Sequence, residues 1–185
     1  FEGTFTANSY NVRYTGKNGT KDKVIIKSQQ SQTVPNDASH IGEDGDCGVA
    51  TATKGATDGK YYFTLDHKAS YLTFMPYYDS NLDPTFTPGL ASSVKLTKIK
   101  VSADQDIAGT YNFENTGIDL SSVTSASKEI ALTLSNSFEI PVSANYSKNG
   151  ATMVIAPGSY TNFTVEYTLF DQKTSVTLNL KKNYG

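Results

Sequence analysis

The feature that most constrains this sequence is a regular alternation of apolar and polar residues through two successive segments near the C-terminus. A short polar stretch, residues 171–173, separates the two segments. Side chains of a β-strand point alternately to opposite faces, so the pattern predicts a hairpin whose two strands each present one apolar face. The apolar residues occupy every second position: Phe163, Val165, Tyr167 and Leu169, then Val176, Leu178 and Leu180.

The same alternation recurs along the chain. Residues 61–74 contain two strand patterns joined through a charged corner, Asp66-His67-Lys68. Thr, Ser and Asn supply 55 of the 185 residues and Trp is absent, a composition that suits strands and polar turns. We therefore predict an all-β fold, with residues 1–185 forming a single antiparallel two-sheet β-sandwich with little or no helix. Further strands are expected at residues 1–6, 10–14, 22–28, 47–53, 93–102, 107–113, 129–134, 138–144 and 151–156.

Breaks in the alternation predict the connections. Gly16-Lys17-Asn18-Gly19 is typical of a hairpin turn between the first long strand and the next one. Residues 29–46 lose the periodicity and predict a long surface loop, and residues 114–127 predict a Ser-rich excursion. In residues 93–102 the apolar side chains change parity, which predicts a β-bulge at Thr97-Lys98.

Charge and motif content argue against several classes of protein. The formal net charge is -2 and Lys residues are dispersed, so the sequence offers no basic surface for nucleic acid. No apolar run approaches the roughly 20 residues of a membrane-spanning helix. The single cysteine, Cys47, cannot form an intramolecular disulfide. Because the common nucleophile, phosphate-binding and metalloprotease motifs do not occur, we predict a protein that is not an enzyme and uses no cofactor.

An acidic loop is a weak candidate for a calcium site. His40 precedes three carboxylates, Glu43, Asp44 and Asp46, in a Gly-rich stretch. Carboxylate oxygens on a flexible backbone are ligands that Ca²⁺ accepts, although this spacing does not match an EF-hand. The alternative is a solvated acidic turn.

Asp66 and His67 also resemble part of a catalytic relay. Adjacent strand residues point to opposite faces, however, which separates the carboxylate from the imidazole. A polar corner between two strands is the simpler interpretation.

A pair of tyrosines begins the second long loop of the chain. Tyr77 and Tyr78 are followed by Asp79, Asn81 and Asp83. Exposed aromatic rings beside polar side chains can bind a sugar or a protein, so these five residues are the ligand-contact candidates. The alternative is that the two rings pack at the base of the loop.

Several segments resemble the fimbrillin-like proteins of Bacteroidales bacteria, the family of type V pilus subunits, anchors and tip adhesins. The resemblance extends from about Gly45 to the C-terminus, whereas the first 40 residues are similar only in strand character. The segments that carry it are residues 45–50, 62–74, 94–101, 107–112 and 156–160, together with the closing hairpin.

This resemblance implies a transthyretin-like Greek-key sandwich, exported through a lipoprotein precursor with a lipid anchor upstream and displayed on the outer membrane. It also implies assembly with other pilus subunits by strand complementation, in which an extended segment of one chain fills a sheet edge of the next. Family members usually carry a second sandwich domain, so we expect a short member or an excised domain. The only arginine, Arg13, lies within a predicted strand, unlike the basic cleavage site of typical pilus subunits.

We therefore expect a noncatalytic cell-surface protein, either a structural pilus component or an adhesin-like module. The main alternative is a lectin-like domain that binds a glycan or a host protein. A more remote alternative is a hydrolase whose site has no recognisable motif.

Overall fold

A computed structural model describes residues 3–78 and 93–184, and within these ranges the chain is predominantly β-structure. The only helices in the described ranges are two single turns, α1 (Ile41–Asp44) and α2 (Tyr146–Asn149). The all-β prediction is thus confirmed. The strands are β1 (Ser9–Tyr14), β2 (Lys23–Ile26), β3 (Gln29–Gln32), β4 (Gly48–Lys54), β5 (Tyr61–Tyr62), β6 (Asp66–His67), β7 (Ser70–Phe74), β8 (Val94–Ser102), β9 (Ala108–Glu114), β10 (Gly117–Ser127), β11 (Glu129–Leu134), β12 (Ala151–Ile155), β13 (Phe163–Asp171) and β14 (Val176–Tyr184).

The largest sheet has five strands in the order β14-β13-β8-β11-β3. All of its pairs are antiparallel except β11 with β3, which run parallel. The predicted C-terminal hairpin is confirmed, because β13 and β14 pair without a register shift from Phe163 opposite Tyr184 to Asp171 opposite Val176.

The predicted bulge in β8 is also confirmed. Lys98 pairs with Thr168 and Leu96 pairs with Leu169, which leaves Thr97 without a counterpart on β13. The extra residue restores the parity of the strand, so that Leu96 and Ile99 both point into the core and are fully buried.

Three smaller sheets complete the described part of the fold. Their strand orders are β10-β9-β2, β12-β7 and β1-β4-β5, and β6 also pairs with β4. All of these pairs are antiparallel. Side chains from the five-stranded sheet and from two smaller sheets meet in one apolar cluster, and each fully buried aliphatic side chain contributes about 1.5–3 kcal/mol. Its members include Val24, Ile26, Ile99, Val101, Tyr111, Phe113, Ile130, Leu132, Met153 and Ile155.

The hairpin predicted between β1 and β2 is wrong. β1 pairs with β4, and β2 pairs with β9. Residues 16–19 do turn, but the amide of Lys17 donates to the carbonyl of Gly42 at 2.7 Å rather than closing a hairpin. The Gly residues allow a turn, while the partner of each strand is decided by which apolar faces bury together.

The long loop predicted at residues 29–46 contains two elements that the sequence did not reveal. β3 lies at its start, with Gln30 and Gln32 almost fully buried at 3% and 2% exposure. α1 lies near its end and stops at Gly45, whose φ of 122° places a hypothetical Cβ 2.7 Å from the Cα of Ile26. Only glycine fits this position without moving the backbone of β2.

Three further sequence predictions are corrected. The expected excursion at residues 114–127 is mostly the strand β10, which pairs with β9 across two register shifts. Residues 138–144 form only an isolated bridge, Lys95 with Glu139. Residues 3–6, the described part of the first predicted strand, are not in a strand. The first segment is too polar to show its pairing in the sequence, whereas the other two have strand-like composition without a full set of cross-strand neighbours, on which strand formation also depends.

Candidate functional site

The structure separates the two tyrosines of the predicted ligand loop. Tyr78 packs against the core, and its amide donates to the carbonyl of Pro141 at 2.8 Å. The side chain of Tyr77 is 55% exposed. The three polar candidates, Asp79, Asn81 and Asp83, lie outside the described residues.

Tyr77 lies in a groove of about 750 Å³ beside the C-terminal hairpin. We call this the hairpin groove. Aromatic rings pack edge to face along it: the ring centre of Phe74 lies 6.2 Å from that of Tyr167, and the ring centre of Phe163 lies 6.5 Å from that of its cross-strand neighbour Tyr184. Its lining is formed by Thr73, Phe74, Met75, Pro76, Tyr77, Tyr160, Phe163, Val165, Tyr167, Lys182 and Tyr184.

Two polar groups give the hairpin groove a specific chemistry. Burial, together with the neighbouring Tyr184, raises the pKa of Tyr167 to about 12. Like any tyrosine hydroxyl, it is protonated at neutral pH. The Nζ atom of Lys182 lies 5.2 Å from the centre of the Tyr184 ring, a cation–π arrangement. The groove therefore combines aromatic faces with a hydroxyl donor and a cation.

The strand β14 forms an open edge of the five-stranded sheet. All nine of its residues are exposed, and no strand in the described ranges pairs with its outer side. Leu178 and Leu180 pair with Leu169 and Tyr167 on the core side of the sheet, yet they are 51% and 55% exposed. The apolar side chains on this face of β14 therefore remain about half exposed to solvent, which is unusual for a long edge strand.

The strand β12 shows the opposite arrangement, which we call the capped edge. The side chain of Gln30 donates to the carbonyl of Val154 at 2.7 Å and accepts from the amide of Val154 at 2.9 Å. Gln32 accepts from the amide of Thr152 at 2.8 Å and donates to the carbonyl of Gly150 at 2.9 Å. Two buried side-chain amides therefore occupy the backbone positions that a neighbouring strand would otherwise fill.

His40 completes the capped edge. Its Nε2 atom lies 2.9 Å from the carbonyl oxygen of Thr152, between the groups bound by Gln30 and Gln32. A carbonyl can only accept, so Nε2 donates here. The first residue of the predicted calcium loop consequently has a structural partner.

The three carboxylates of that loop are not brought together. Glu43 pairs with Lys17 at 3.2 Å, and the buried Asp44 pairs with Lys27 at 3.6 Å. Burial raises the pKa of the Asp44 carboxyl group, against the opposing charges of His40 and Lys27. Across residues 3–78 and 93–184, no set of three or more His, Cys, Asp or Glu side chains could hold a metal ion.

Asp46 instead joins a polar cluster with His67 and Tyr71. Its Oδ1 atom accepts from the hydroxyl of Tyr71 and lies 2.8 Å from Nδ1 of His67. The hydroxyl also lies 3.0 Å from this ring nitrogen, and burial and the carboxylate together raise the pKa of Tyr71. Asp66, which neighbours His67 in sequence, binds Lys68 at 2.6 Å.

This cluster has the carboxylate–imidazole pairing that can orient a general base, but the thiol next to Asp46 in the sequence is not accessible. Cys47 is fully buried, and desolvation raises the pKa of its thiol to about 12. Neither the hairpin groove nor the N-terminal groove described below is lined by His67. Within the described residues, the cluster joins the start of β4 to β6 and β7. No local sequence pattern predicts this cluster, because Asp46 and His67 are 21 positions apart.

Two further observations bear on the function of the protein. None of the helices in the described ranges is long and apolar enough to cross a membrane. Comparison of the chain with protein-family models, curated proteins and solved structures finds no match.

Proposed function

We propose that this protein is a noncatalytic cell-surface structural or adhesin-like component of a type V pilus, in keeping with its resemblance to the fimbrillin-like family. An extended segment of a neighbouring subunit would add to the sheet along β14. The observation that carries the proposal is the open edge, a nine-residue strand with an uncovered apolar face. The proposal includes a transthyretin-like Greek-key sandwich, with the five-stranded sheet as one layer, and export with a lipid anchor upstream.

The open edge offers an added strand two sources of binding free energy, namely backbone hydrogen bonds and burial of apolar surface. Outward-facing backbone groups of β14 can bond to the added strand, which gives affinity without any particular sequence. Every second side chain of that strand would lie beside Leu178 or Leu180 and remove their apolar surface from water, at roughly 25 cal/mol per Å². The hairpin groove continues along the same face through Lys182 and Tyr184.

The test compares the two faces of β14. The purified chain is mixed with a synthetic peptide of residues 176–184 or of residues 1–6, and complex formation and self-association are measured by analytical ultracentrifugation. We expect at least one peptide to form a complex or to block self-association. In the double variant Leu178→Lys and Leu180→Lys, this association should weaken by about tenfold or more, because two lysines would have to be covered.

The matched control is Thr177→Lys with Asn179→Lys, which places the same charges on the opposite face of the same strand. It should retain most of the association. Absence of any effect from either peptide, or equal losses in both double variants, would exclude assembly along this face.

A second candidate function, binding of a glycan or a host protein, is favoured by the position of Tyr77 in the hairpin groove. Aromatic rings that line a groove provide faces for sugar stacking or for apolar side chains. Tyr77→Ala should reduce binding on a glycan or host-protein array, whereas Tyr146→Ala should not, since Tyr146 is similarly exposed but does not line the groove. Arrays without any ligand for the parent protein would count against this candidate.

A further inference from the structure

A second groove, which we call the N-terminal groove, lies over the sheet formed by β1, β4 and β5. It encloses about 800 Å³, within the usual range for small-molecule sites. Phe5, Tyr10 and Tyr61 form its aromatic wall, with ring centres 5.3 to 5.6 Å apart and the rings tilted against one another. Phe63, which is 44% exposed, adds a fourth ring.

The wall is held in place by hydrogen bonds to the segment that precedes β1. The hydroxyl of Tyr10 accepts from the amides of Thr6 and Ala7, both at 2.8 Å. The hydroxyl of Tyr61 donates to the carbonyl of Ala7 at 2.6 Å. Because the rings are already fixed, a ligand that packs on them would not have to order them.

The polar part of the N-terminal groove is positively charged. Lys60 is exposed and forms no ion pair with any described residue. Arg13 is also among the lining residues, but it pairs with Val49 on the opposite face of the sheet from Tyr10 and Ala52, where Asp22 at 2.9 Å and the carbonyl of Phe113 at 2.7 Å hold its guanidinium. Lys60 is therefore the cation that a ligand in the groove would meet.

No Asp or Glu is among the described residues that line this groove. The nearby carboxylate of Asp58 accepts from the hydroxyl of Tyr62 and, at 3.1 Å, from the amide of Lys60. The free cation of Lys60 therefore favours an anionic ligand, and the rings favour one with an apolar face.

We propose that the N-terminal groove binds a sugar that carries a carboxylate. The C–H face of the sugar would pack on Tyr61 and Phe63, and its carboxylate would bind Lys60. The site is separate from β14 and from the hairpin groove, so it does not depend on the function proposed above.

The experiment uses ligands matched except for the carboxylate. Binding to the purified 185-residue chain is measured by ligand-observed nuclear magnetic resonance and titration calorimetry. Sialyllactose is compared with lactose, and digalacturonic acid with its methyl ester. We expect at least one acid to bind at least about tenfold more tightly than its neutral counterpart, as a charge-assisted hydrogen bond contributes roughly 1.5–3 kcal/mol. The two pairs distinguish a sialic acid from a uronic acid.

Two matched variant pairs locate the site. Lys60→Gln should weaken binding of the acid by about tenfold, whereas Lys98→Gln, an exposed lysine on β8, should leave it unchanged. Phe63→Ala should weaken binding by roughly threefold to tenfold. Tyr62→Ala should not, because Tyr62 pairs with Thr53 on the opposite face from Tyr61 and Ala52.

Several results would overturn the proposal. They are failure of both acids to bind, equal affinity for an acid and its neutral counterpart, and affinity that is unchanged in both Lys60→Gln and Phe63→Ala. Preferential binding of an acidic peptide at the same residues would also overturn it. Circular dichroism and thermal unfolding of each variant ensure that a loss of binding is not a loss of folding.

Discussion

The two edge strands β12 and β14 differ in whether their outward-facing backbone groups have hydrogen-bond partners among the described residues. Along β12, the outward groups from Gly150 to Val154 are bound by side chains of Gln30, Gln32 and His40. Along β14, no described strand pairs with the outer side, and all nine residues are exposed. One edge is closed within the chain, whereas no described strand closes the other.

The difference shows that the chain can block a sheet edge without a strand or a charged residue. A glutamine side chain carries a donor and an acceptor in the same arrangement as a peptide group, so two glutamines on alternate positions of β3 match the spacing of β12. Proteins commonly protect their edges against unwanted pairing. Apart from Lys181 and Lys182, the described residues provide no such protection along β14, which is why we propose assembly at that edge.

The largest expected effect is at the capped edge. Gln30→Ala would leave the buried amide and carbonyl of Val154 without partners and would create a cavity, so it should destabilise the protein by about 2–4 kcal/mol. Urea denaturation followed by circular dichroism measures the change. Gln29→Ala, on the exposed side of the same strand, should change stability by no more than about 0.5 kcal/mol. Equal effects of the two substitutions would show that the hydrogen bonds between Gln30 and the backbone of Val154 do not stabilise the fold.

A smaller effect is expected for the third capping residue. His40→Ala removes the donor to Thr152, and a partly buried hydrogen bond of this kind contributes about 0.5–1.5 kcal/mol. His40→Gln should recover part of the loss because it keeps a donor, whereas Ser39→Ala should have almost no effect. If His40→Ala is as stable as the parent protein in urea, then water replaces the imidazole and the capping depends on the glutamines alone.

A smaller effect is expected from the pH dependence of stability that Asp44, the last residue of α1, introduces. Burial raises the pKa of the Asp44 carboxyl group in the folded state. Protonation of this group therefore stabilises the folded state, and the stabilisation is complete below the unfolded-state pKa and is lost as pH rises through the folded-state pKa. Asp44→Asn should therefore gain stability relative to the parent protein as the pH rises above about 4, the usual pKa of an aspartate. Denaturation at several pH values measures the trend, with Glu43→Gln as the exposed control. If the stability of Asp44→Asn relative to the parent protein instead fell as the pH rose, the ion pair of Asp44 with Lys27 would stabilise the protein by more than the burial of the carboxylate costs.

The smallest effect on stability is expected at the open edge. Leu178→Lys should change the free energy of unfolding of the monomer by no more than about 0.5 kcal/mol, since the side chain is already half exposed. Measurement at a protein concentration where the chain is monomeric separates this value from association. A loss above about 1 kcal/mol would show that Leu178 supports the monomer, and the contrast between the two edges would then disappear.

The sequence predicts those parts of the fold in which burial follows simple alternation. The hairpin of β13 and β14 and the bulge at Thr97 are both visible as a pattern of apolar residues, including its change of parity. β3 is invisible to the same reasoning, because its buried positions are glutamines that satisfy a backbone rather than apolar side chains. The pairing of β1 with β4 rather than β2 also has no local signal.

The candidate sites were predictable to a lesser degree. Tyr77 was identified from its type and its position before a loop, and it does line a groove. The partners that give this groove its shape, such as Phe163 and Tyr184, come from the hairpin and are distant in sequence. Likewise, Asp46 was considered as a metal ligand, whereas its contacts are with His67 and Tyr71. Residue type indicates chemistry, but only tertiary pairing decides which groups meet.

The parallel pairing of β3 with β11 has a consequence for how the chain is made. Gln29 faces Ala131, about a hundred residues later, so β3 leaves the ribosome long before its partner has been synthesised. Contacts between such distant segments form slowly, because a large loop must close first. Until β12 arrives, Gln30 and Gln32 can donate to the nearby carbonyls of Lys27 and Val34, but the backbone groups that they cap have not yet been made.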